Sequence, residues 1–489
     1  MSQITISSAF ALVPEICLLI LLVAILAYDR LLKPSERRRV GLLAAWGFFI
    51  TLAVDLTVFY LFREPGSSQI ALWGGMFRHD AITFIFRIMF LIAGGVVSLI
   101  AMDIKALQSG EFYALLVTST IGFNLMAAAG DLIALYVALE TASISLYVLG
   151  GYATKDKLSA EAGMKYFVYG AFASAVMLYG MSLLYGLTGQ TNMQAIAAGI
   201  ANSGYNGVTL LAAVLVLVGL GFKISIVPFH FWAPDVYEGA PTAVTAYLST
   251  ASKAAGFAVI MRVFLLGTLG IPRLTTPWWS MLVAMCIVTM TLGNFLAIYQ
   301  KNIKRMLAYS SIAQAGYVMI GFVTMTPDGA GAAMFYLLMY ILTNTAAFAV
   351  IILAANATGS EQLEDFNGLS RRSPFLALAM LLALLSLGGI PPTAGFFAKF
   401  FLFKAAIEGG LWGLALAAIL NAFVALYYYL SVAKYMYLYR SDEEDVPIPV
   451  PRAYQVALAL TIFGVLYLGV FAGPTFELTR NAGIFFFGG

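Results

Sequence analysis

The feature that most constrains this chain is a series of long apolar segments that continues along nearly its whole length. A helix crosses the bilayer with about 20 mainly apolar residues, and fourteen such segments can be counted. They lie at roughly 8–28, 40–62, 80–102, 112–129, 132–152, 164–188, 207–227, 241–268, 277–299, 304–325, 331–356, 375–407, 409–438 and 453–473. The sequence therefore predicts an all-α polytopic membrane protein with about fourteen transmembrane helices.

Composition excludes several functional classes. Of the 489 residues, 61% are hydrophobic and 10% are charged, against about 25% charged residues in soluble domains. The net charge of +3 is too small to suggest a nucleic-acid surface. Cys17 and Cys286 form no CxxC motif, and His79 and His230 are far apart in sequence. We therefore expect the lipid bilayer and no nucleic acid as surroundings, with no metal or redox centre in this chain.

The connecting loops predict the orientation of the helices. Basic residues concentrate in alternate loops, which marks those loops as cytoplasmic. They include Arg37–Arg39, Lys155, Lys157, Lys301, Lys304, Arg305, Arg371, Arg372, Arg440 and Arg452. Fourteen spans with both termini outside place all of these loops on one side. The location expected is the bacterial cytoplasmic membrane, or an organellar membrane in a eukaryote.

Two of the predicted spans are interrupted by proline. The seventh is broken at Pro228 and the twelfth at Pro391 and Pro392, and non-helical backbone at membrane depth must be buried in protein or line a wet cavity. Each break falls in the fourth helix of a set of five, which predicts two inverted five-helix repeats. The predicted divisions are three N-terminal helices at 1–111, the repeats at 112–268 and 277–439, and a last helix and tail at 440–489.

Four charged residues lie deep in these spans and are the candidates for function. Glu140 is roughly 12 Å and 18 Å from the two ends of its helix, and Lys253 is about 18 Å from Pro241. Lys223 precedes the first break and Lys399 follows the second. Because a charge at the bilayer centre costs between about 2.5 and 17 kcal/mol, we interpret the four as proton-transfer groups. The alternative is a structural Glu140–Lys223 ion pair with two lysines that cap carbonyls.

The two units differ in charge, which suggests a direction. The helix that matches the one bearing Glu140 contains Gln314, and the helix that matches the one bearing Lys253 has only Lys434, near a membrane surface. The hypothesis is proton uptake and storage in the first unit and transfer toward Lys399 in the second. His230, just past the seventh-helix break, could relay protons, although a structural hydrogen bond is an equal alternative.

Other buried charges have structural interpretations. Glu15, Asp55 and Arg87 lie at similar depth in the first three helices, which predicts a static ion cluster. Asp80 and Asp131 begin helices, where a carboxylate favourably meets the N-terminal dipole. The acidic run 442–445 is expected to be a solvated loop, with docking to a partner as the alternative.

Several long strings resemble those of the antiporter-like membrane subunits of respiratory complex I. They are LYVALE at Leu135–Glu140, FKISIVPFH at Phe222–His230, WAPDVYEGAP at Trp232–Pro241, SKAA at Ser252–Ala255 and NIKRMLAYSSIAQAGY at Asn302–Tyr317. The resemblance covers nearly the whole chain. It is closest to the subunit N branch, because the chain stops soon after the last span and carries Lys399 where the middle subunit has glutamate.

The resemblance implies a fold, a function and partners. In this family the fourteen-helix core with broken seventh and twelfth helices is the fold, and Glu140, Lys223, Lys253 and Lys399 match its proton-transfer positions. It implies a subunit of a proton-pumping NADH:quinone oxidoreductase, with FMN, iron-sulfur clusters and quinone in other subunits and with neighbouring antiporter-like and small membrane subunits as partners. The alternatives are a subunit of a multisubunit sodium/proton antiporter and a scaffold that only transmits conformational change.

Overall fold

The computed structural model describes residues 11–61, 69–204, 206–265, 277–441 and 445–484, and within them the chain is almost entirely helical. The helices are α1 Val13–Leu31, α2 Arg38–Leu61, α3 Ala81–Ala101, α4 Gly110–Ala128, α5 Leu132–Gly150, α6 Lys157–Thr188, α7 Met193–Ser203, α8 Gly207–Ile224, α9 Trp232–Gly239, α10 Thr242–Leu265, α11 Pro277–Ile298, α12 Ile303–Val323, α13 Pro327–Thr358, α14 Leu369–Arg372, α15 Pro374–Gly388, α16 Ala394–Glu408, α17 Trp412–Leu438, α18 Arg452–Val470 and α19 Ala472–Ile484. The antiparallel strands β1 Gln69–Leu72 and β2 Phe77–Asp80 form a hairpin before α3.

These helices confirm the predicted class of polytopic helical membrane protein. Within the described ranges, 12 helices are long and apolar enough to cross a membrane. Two further predicted spans correspond to α1, which has 19 residues but carries Glu15, Asp29 and Arg30, and to the interrupted pair α15 and α16. Every predicted span thus coincides with helix, while the count of fourteen stays a prediction. The first residues of span one and residues 442–444 of the acidic run lie outside the described residues.

Local sequence explains where the helices begin and break. Asp131 and Asn302 accept hydrogen bonds from the first backbone amides of α5 and α12, as good N-cap residues do. At the two predicted breaks, Ser225 caps the C-terminus of α8 and Gly389 caps that of α15, both in the left-handed conformation, and Pro228 and Pro392 follow three residues later. The two interruptions are therefore built in the same way, as expected for repeated units.

A short antiparallel backbone pairing that occurs in both units also supports the predicted repeat. The repeat itself stays a prediction. The residues just before α5 pair antiparallel with those just after α6, and the residues before α12 pair in the same way with those after α13. The bonds are Leu132 N to Thr191 O at 2.9 Å, Met193 N to Gly130 O at 3.0 Å, Ile303 N to Glu361 O at 2.9 Å and Leu363 N to Lys301 O at 2.8 Å.

Helix α13 occupies the centre of the molecule. Its 32 residues contact α3, α10, α12, α15, α16, α18 and α19, and nearly all of its apolar stretch is buried. Helices α2, α6, α11 and α17 lie at the periphery and keep apolar side chains exposed, as lipid-facing helices do. The candidate functional residues lie on α5, α8, α10, α12 and α16, around this centre.

Candidate proton-transfer site

Glu140 lies half-buried on α5 and accepts a hydrogen bond from Ser174 Oγ of α6. The hydroxyl of Ser174 also lies 3.3 Å from Tyr136 OH, one turn earlier on α5. Glu140 forms no ion pair with Lys223 in the part of the chain that the structure describes. The carboxylate is therefore held by a hydroxyl group rather than by a permanent positive partner.

Lys223 lies in the last turn of α8, 2% exposed, just before the break. Its Nζ donates to Ser143 Oγ at 3.1 Å and lies 5.7 Å from the centroid of the Phe123 ring. Ser143 is three residues after Glu140, so the two side chains share a face of α5. Lys223 of α8 therefore binds α5 next to Glu140 without pairing with it, and the direct ion pair between these two described residues is absent.

Lys253 lies on α10 and is 2% exposed. Its Nζ donates to the carbonyl of Ser311 on α12 at 2.8 Å and lies 5.9 Å from the centroid of the Tyr237 ring. Two π-helical turns, Leu248–Ser252 and Met261–Leu265, flank its segment of α10. Such turns are rare and occur frequently at functional sites. Lys253 thus joins the first predicted unit to a helix of the second.

Lys399 lies on α16 after the second break and is 4% exposed. Its Nζ donates to the carbonyl oxygens of Leu387 and Gly388, each at 2.9 Å, and lies 5.2 Å from the centroid of the Tyr317 ring. These carbonyls end α15, where helix carbonyls lack backbone partners and the dipole favours a cation. The break therefore supplies the ligands that hold this lysine.

Helix α12 connects the surroundings of Lys253 and Lys399. Gln314 Nε2 donates to Tyr429 OH at 2.9 Å and to Leu387 O at 3.4 Å, the same carbonyl that binds Lys399. Tyr429 OH is 2.5 Å from Ser310 Oγ, and Tyr336 OH donates to Gln314 Oε1. Sequence reasoning noted Gln314 but missed these hydroxyl groups. The polar run in an otherwise apolar helix, SSIAQ, was the available signal.

The positions on α5 and α12 correspond when counted from their N-caps. Glu140 and Ser311 are each nine residues after Asp131 and Asn302, and Ser143 and Gln314 are each twelve residues after them. At the twelfth position of the first unit, Ser143 binds Lys223. At the twelfth position of the second unit, Gln314 binds the Leu387 carbonyl, which also accepts from Lys399. The ninth position is Glu140 in the first unit. In the second unit it is Ser311, whose backbone carbonyl binds Lys253.

His230 is buried between the break and α9. Its Nδ1 has no hydrogen-bond partner in the described part of the protein, and its ring packs on that of Phe231 with centroids 4.4 Å apart. No hydrogen bond joins the described side chain of His230 to any of the four buried charges. A relay role for His230 stays a prediction.

The predicted ion cluster of the first three helices is confirmed. Arg87 lies 2.8 Å from a Glu15 oxygen and 3.6 Å from an Asp55 oxygen, and all three side chains are buried. Arg87 Nη1 also lies 3.4 Å from His79 Nδ1. Burial, and after it the positive charge of Arg87, lowers the pKa of His79 to about 4. His79 is therefore neutral at pH 7, and its Nδ1 accepts from the arginine.

Sequence reasoning missed one buried charge, Arg262 on α10. This residue is fully buried, and its two terminal nitrogens each lie 2.6 Å from an oxygen of Asp80. Its Nε donates to Ala127 O at 2.8 Å. Asp80 also accepts from Thr83 N at 2.9 Å as the N-cap of α3. The interpretation of Asp80 as a helix cap was therefore incomplete, because it is equally the partner of Arg262.

Ion pairs fix the short helix α9 after the first break. Asp235 lies 2.6 Å from Lys165 of α6 and 2.8 Å from Arg305 of α12, which also lies 2.8 Å from Glu238. These contacts hold the broken segment between the two predicted units. Among the described residues, no group of three His, Cys, Asp or Glu side chains could bind a metal ion, and both cysteines are free.

The chain is similar to known membrane proteins over almost its whole length. Residues 129–425 match the family model described as NADH:quinone oxidoreductase/Mrp antiporter, TM. NADH-quinone oxidoreductase subunit N of Moorella thermoacetica is 42% identical over 466 residues, which is 95% of this chain and 96% of the relative. A chain of respiratory complex I from Thermus thermophilus with bound aureothin has a TM-score of 0.79 and 33% identity, over 95% of this chain and 98% of that one. A chain of the Mrp complex from Dietzia sp. has a TM-score of 0.83 at 23% identity, over 99% and 98%, and shows a shared fold alone.

Proposed function

Because the chain belongs to the NADH:quinone oxidoreductase/Mrp antiporter family of membrane proteins, we propose that it is a proton-translocating, antiporter-like membrane subunit of a complex I type NADH:quinone oxidoreductase. The high identity to a full-length subunit N favours this reading over a subunit of a sodium/proton antiporter. The observation that carries the proton role is the series of four buried charges, Glu140, Lys223, Lys253 and Lys399, of which the last two are linked through α12.

The first step of the proposed mechanism concerns Glu140 and Lys223. A carboxylate that approaches an ammonium group stabilises its protonated form, and burial without such a partner favours the neutral amine. Ser174 of α6 holds Glu140, and Ser143 holds Lys223 of α8, so Glu140 and the anchor of Lys223 are neighbours on α5. A change of Glu140 rotamer toward Lys223 loads a proton on the lysine, and its return to Ser174 favours release.

The second step uses α12. Lys253 is tied to Ser311 O, and Ser310 beside it bonds to Tyr429, which bonds to Gln314. The hydroxyl groups of Ser310 and Tyr429 both donate and accept hydrogen bonds, so they can pass a proton, whereas the Ser311 and Leu387 carbonyls only accept. The carbonyls therefore hold the two lysines beside the hydroxyl pair, and each lysine must leave its carbonyl to exchange a proton with it. Lys399, whose carbonyl partner also binds Gln314, is the end of this route.

The free energy for these steps comes from other subunits. We place FMN, the iron-sulfur clusters and the quinone there, since the proposed role of this chain needs no redox centre. Its partners are neighbouring antiporter-like and small membrane subunits of the same arm. The proposed location is the bacterial cytoplasmic membrane with both termini outside.

Purification in mild detergent tests the proposed function. The chain should co-purify with a flavin- and iron-sulfur-containing arm and with other antiporter-like subunits, and NADH with quinone should acidify proteoliposomes that contain the complex. The proposal fails if the purified assembly lacks flavin and instead exchanges sodium for protons with no electron donor.

A double variant separates proton transfer from a scaffold role. In Glu140→Gln/Lys223→Met we expect at least tenfold slower NADH-driven proton uptake with normal assembly. The matched control is Glu408→Gln/Lys404→Met, which removes an exposed pair whose atoms lie 3.7 Å apart on α16, and it should pump normally. Undiminished pumping in the first variant supports a scaffold.

A further inference from the structure

An apolar groove at the protein surface has no role in the proposed proton route. It lies between α2, α3 and α18 and has a volume of about 490 Å³. Its walls are apolar, with Trp46 and Phe49 from α2, Leu99 from α3, and Val456 and Leu460 from α18. Trp46 and Val456 are 60% and 50% exposed, so the groove is open at the protein surface.

Positive charge is concentrated at one end of this groove. Arg38 is the first residue of α2 and Arg452 is the first residue of α18, and both line the groove. Arg38 is half-exposed and bonds to Asp103 with Nε to Oδ1 at 2.5 Å. Arg452 is exposed and forms no ion pair with any residue that the structure describes. The N-termini of α2 and α18 add positive potential at this end, whereas the C-terminus of α3, whose capping residue Met102 also lines the groove, opposes it. The two arginines therefore supply the positive charge that favours an anion here.

The dimensions fit one leaflet of a bilayer. From Arg452 to Leu460 the helix rises about 12 Å, and from Arg38 to Phe49 it rises about 16 Å, at about 1.5 Å per residue. Half of a hydrocarbon core of about 30 Å is about 15 Å. The cationic end therefore lies at headgroup level, while the apolar walls follow the acyl region of the same leaflet.

We propose that this groove binds an anionic phospholipid, with its phosphate between Arg38 and Arg452 and an acyl chain along Trp46 and Val456. Arg38 and Arg452 are the charged side chains among the described residues that line the groove, and of the two only Arg38 is paired with a described carboxylate, that of Asp103. Their net positive charge suits a phosphate, and guanidinium groups bind phosphate oxygens well. The apolar walls bury the acyl chain. A neutral or zwitterionic lipid fits the apolar walls of the groove but brings no net negative charge to Arg38 and Arg452.

Retained lipid in the purified complex tests the site. The complex is exchanged exhaustively into detergent, mixed with phosphatidylglycerol or phosphatidylcholine, washed and assayed for bound lipid by mass spectrometry. Arg452→Ala and Val456→Trp should each lose about one phosphatidylglycerol per complex and leave retained phosphatidylcholine unchanged. The controls are Arg440→Ala, an exposed arginine outside the groove, and Val470→Trp, which is exposed at the far end of α18.

Two results overturn the proposal. One is equal retention of phosphatidylglycerol in the test and control variants, and the other is an equal loss of both lipids, which indicates an unselective boundary layer. Photo-crosslinking from p-benzoylphenylalanine at position 456, in the assembled complex in its native membrane, identifies the occupant directly. A phospholipid adduct supports the site, and an adduct only with a neighbouring subunit replaces it with a protein interface.

Discussion

The buried pair of Asp80 and Arg262 offers a stringent prediction about stability. Asp80→Asn keeps an N-cap side chain for Thr83 N but removes the negative charge that Arg262 meets with two contacts of 2.6 Å. Breaking a buried pair from one side costs about 3–5 kcal/mol. Because 1.4 kcal/mol is a factor of ten, the unfolding equilibrium should shift at least about a hundredfold.

Two further variants divide this effect into its parts. Asp80→Ala should cost about 1 kcal/mol more, because it also removes the cap of α3. Asp80→Asn/Arg262→Met removes both charges and should recover most of the loss, since apolar replacements of buried pairs are often close to neutral. Asp103→Asn, which removes the partner of the half-exposed Arg38, is the control and should cost at most about 1 kcal/mol.

Titration of the purified full chain with sodium dodecyl sulfate in mixed micelles, followed by tryptophan fluorescence, measures these differences in unfolding free energy. The double variant is decisive. If it is destabilised as much as the sum of Asp80→Asn and Arg262→Met, the two residues are not energetically coupled and the account of the pair is refuted.

Three other predictions concern the proton route and the ion cluster. Gln314→Leu should slow proton uptake about tenfold because it disconnects Tyr429 from the Leu387 carbonyl, whereas Gln314→Glu should retain more activity; equal rates in the two variants contradict this. Tyr429→Phe removes the shared hydroxyl and should slow uptake several-fold in the same proteoliposome assay. The pKa of His79 is about 4 when folded and 6.5 ordinarily, so protonation favours the unfolded chain and stability should fall as the pH drops below about 6.5. By pH 5 the unfolding equilibrium should have shifted roughly thirtyfold. His79→Asn should lose that part of the dependence, and an unchanged pH profile in the variant contradicts it.

The sequence predicted the helices well because each apolar span is a local property. Within the residues that the structure describes, all fourteen predicted spans coincide with helix, and both proline breaks lie where Pro228 and Pro392 indicated. The hairpin β1–β2 and the helices α7 and α19 were not predicted, since they are short and lack a long apolar run. The π-helical turns around Lys253 have no local sequence signal, because tertiary packing decides where an extra residue is accommodated.

The sequence predicted the four charged residues of the candidate site but not the groups to which they are hydrogen-bonded. Burial depth alone identified Glu140, Lys223, Lys253 and Lys399, since charge in an apolar helix is visible in the sequence. Their partners are mostly hydroxyl and carbonyl groups on distant segments, such as Ser143 and the Ser311 carbonyl, which no spacing rule reveals. Arg262 was missed because it lies near the end of its predicted span, where an arginine could reach the surface.

The central claim is that protons pass from the first unit to the second through Lys253. The most direct measurement is the rate of NADH-driven proton uptake by proteoliposomes that contain the assembled complex with Lys253→Met, compared with Lys434→Met, which changes an exposed lysine of the second unit. We predict at least a tenfold lower rate for Lys253→Met and a normal rate for Lys434→Met. Equal rates in the two variants, with equal assembly, contradict the claim.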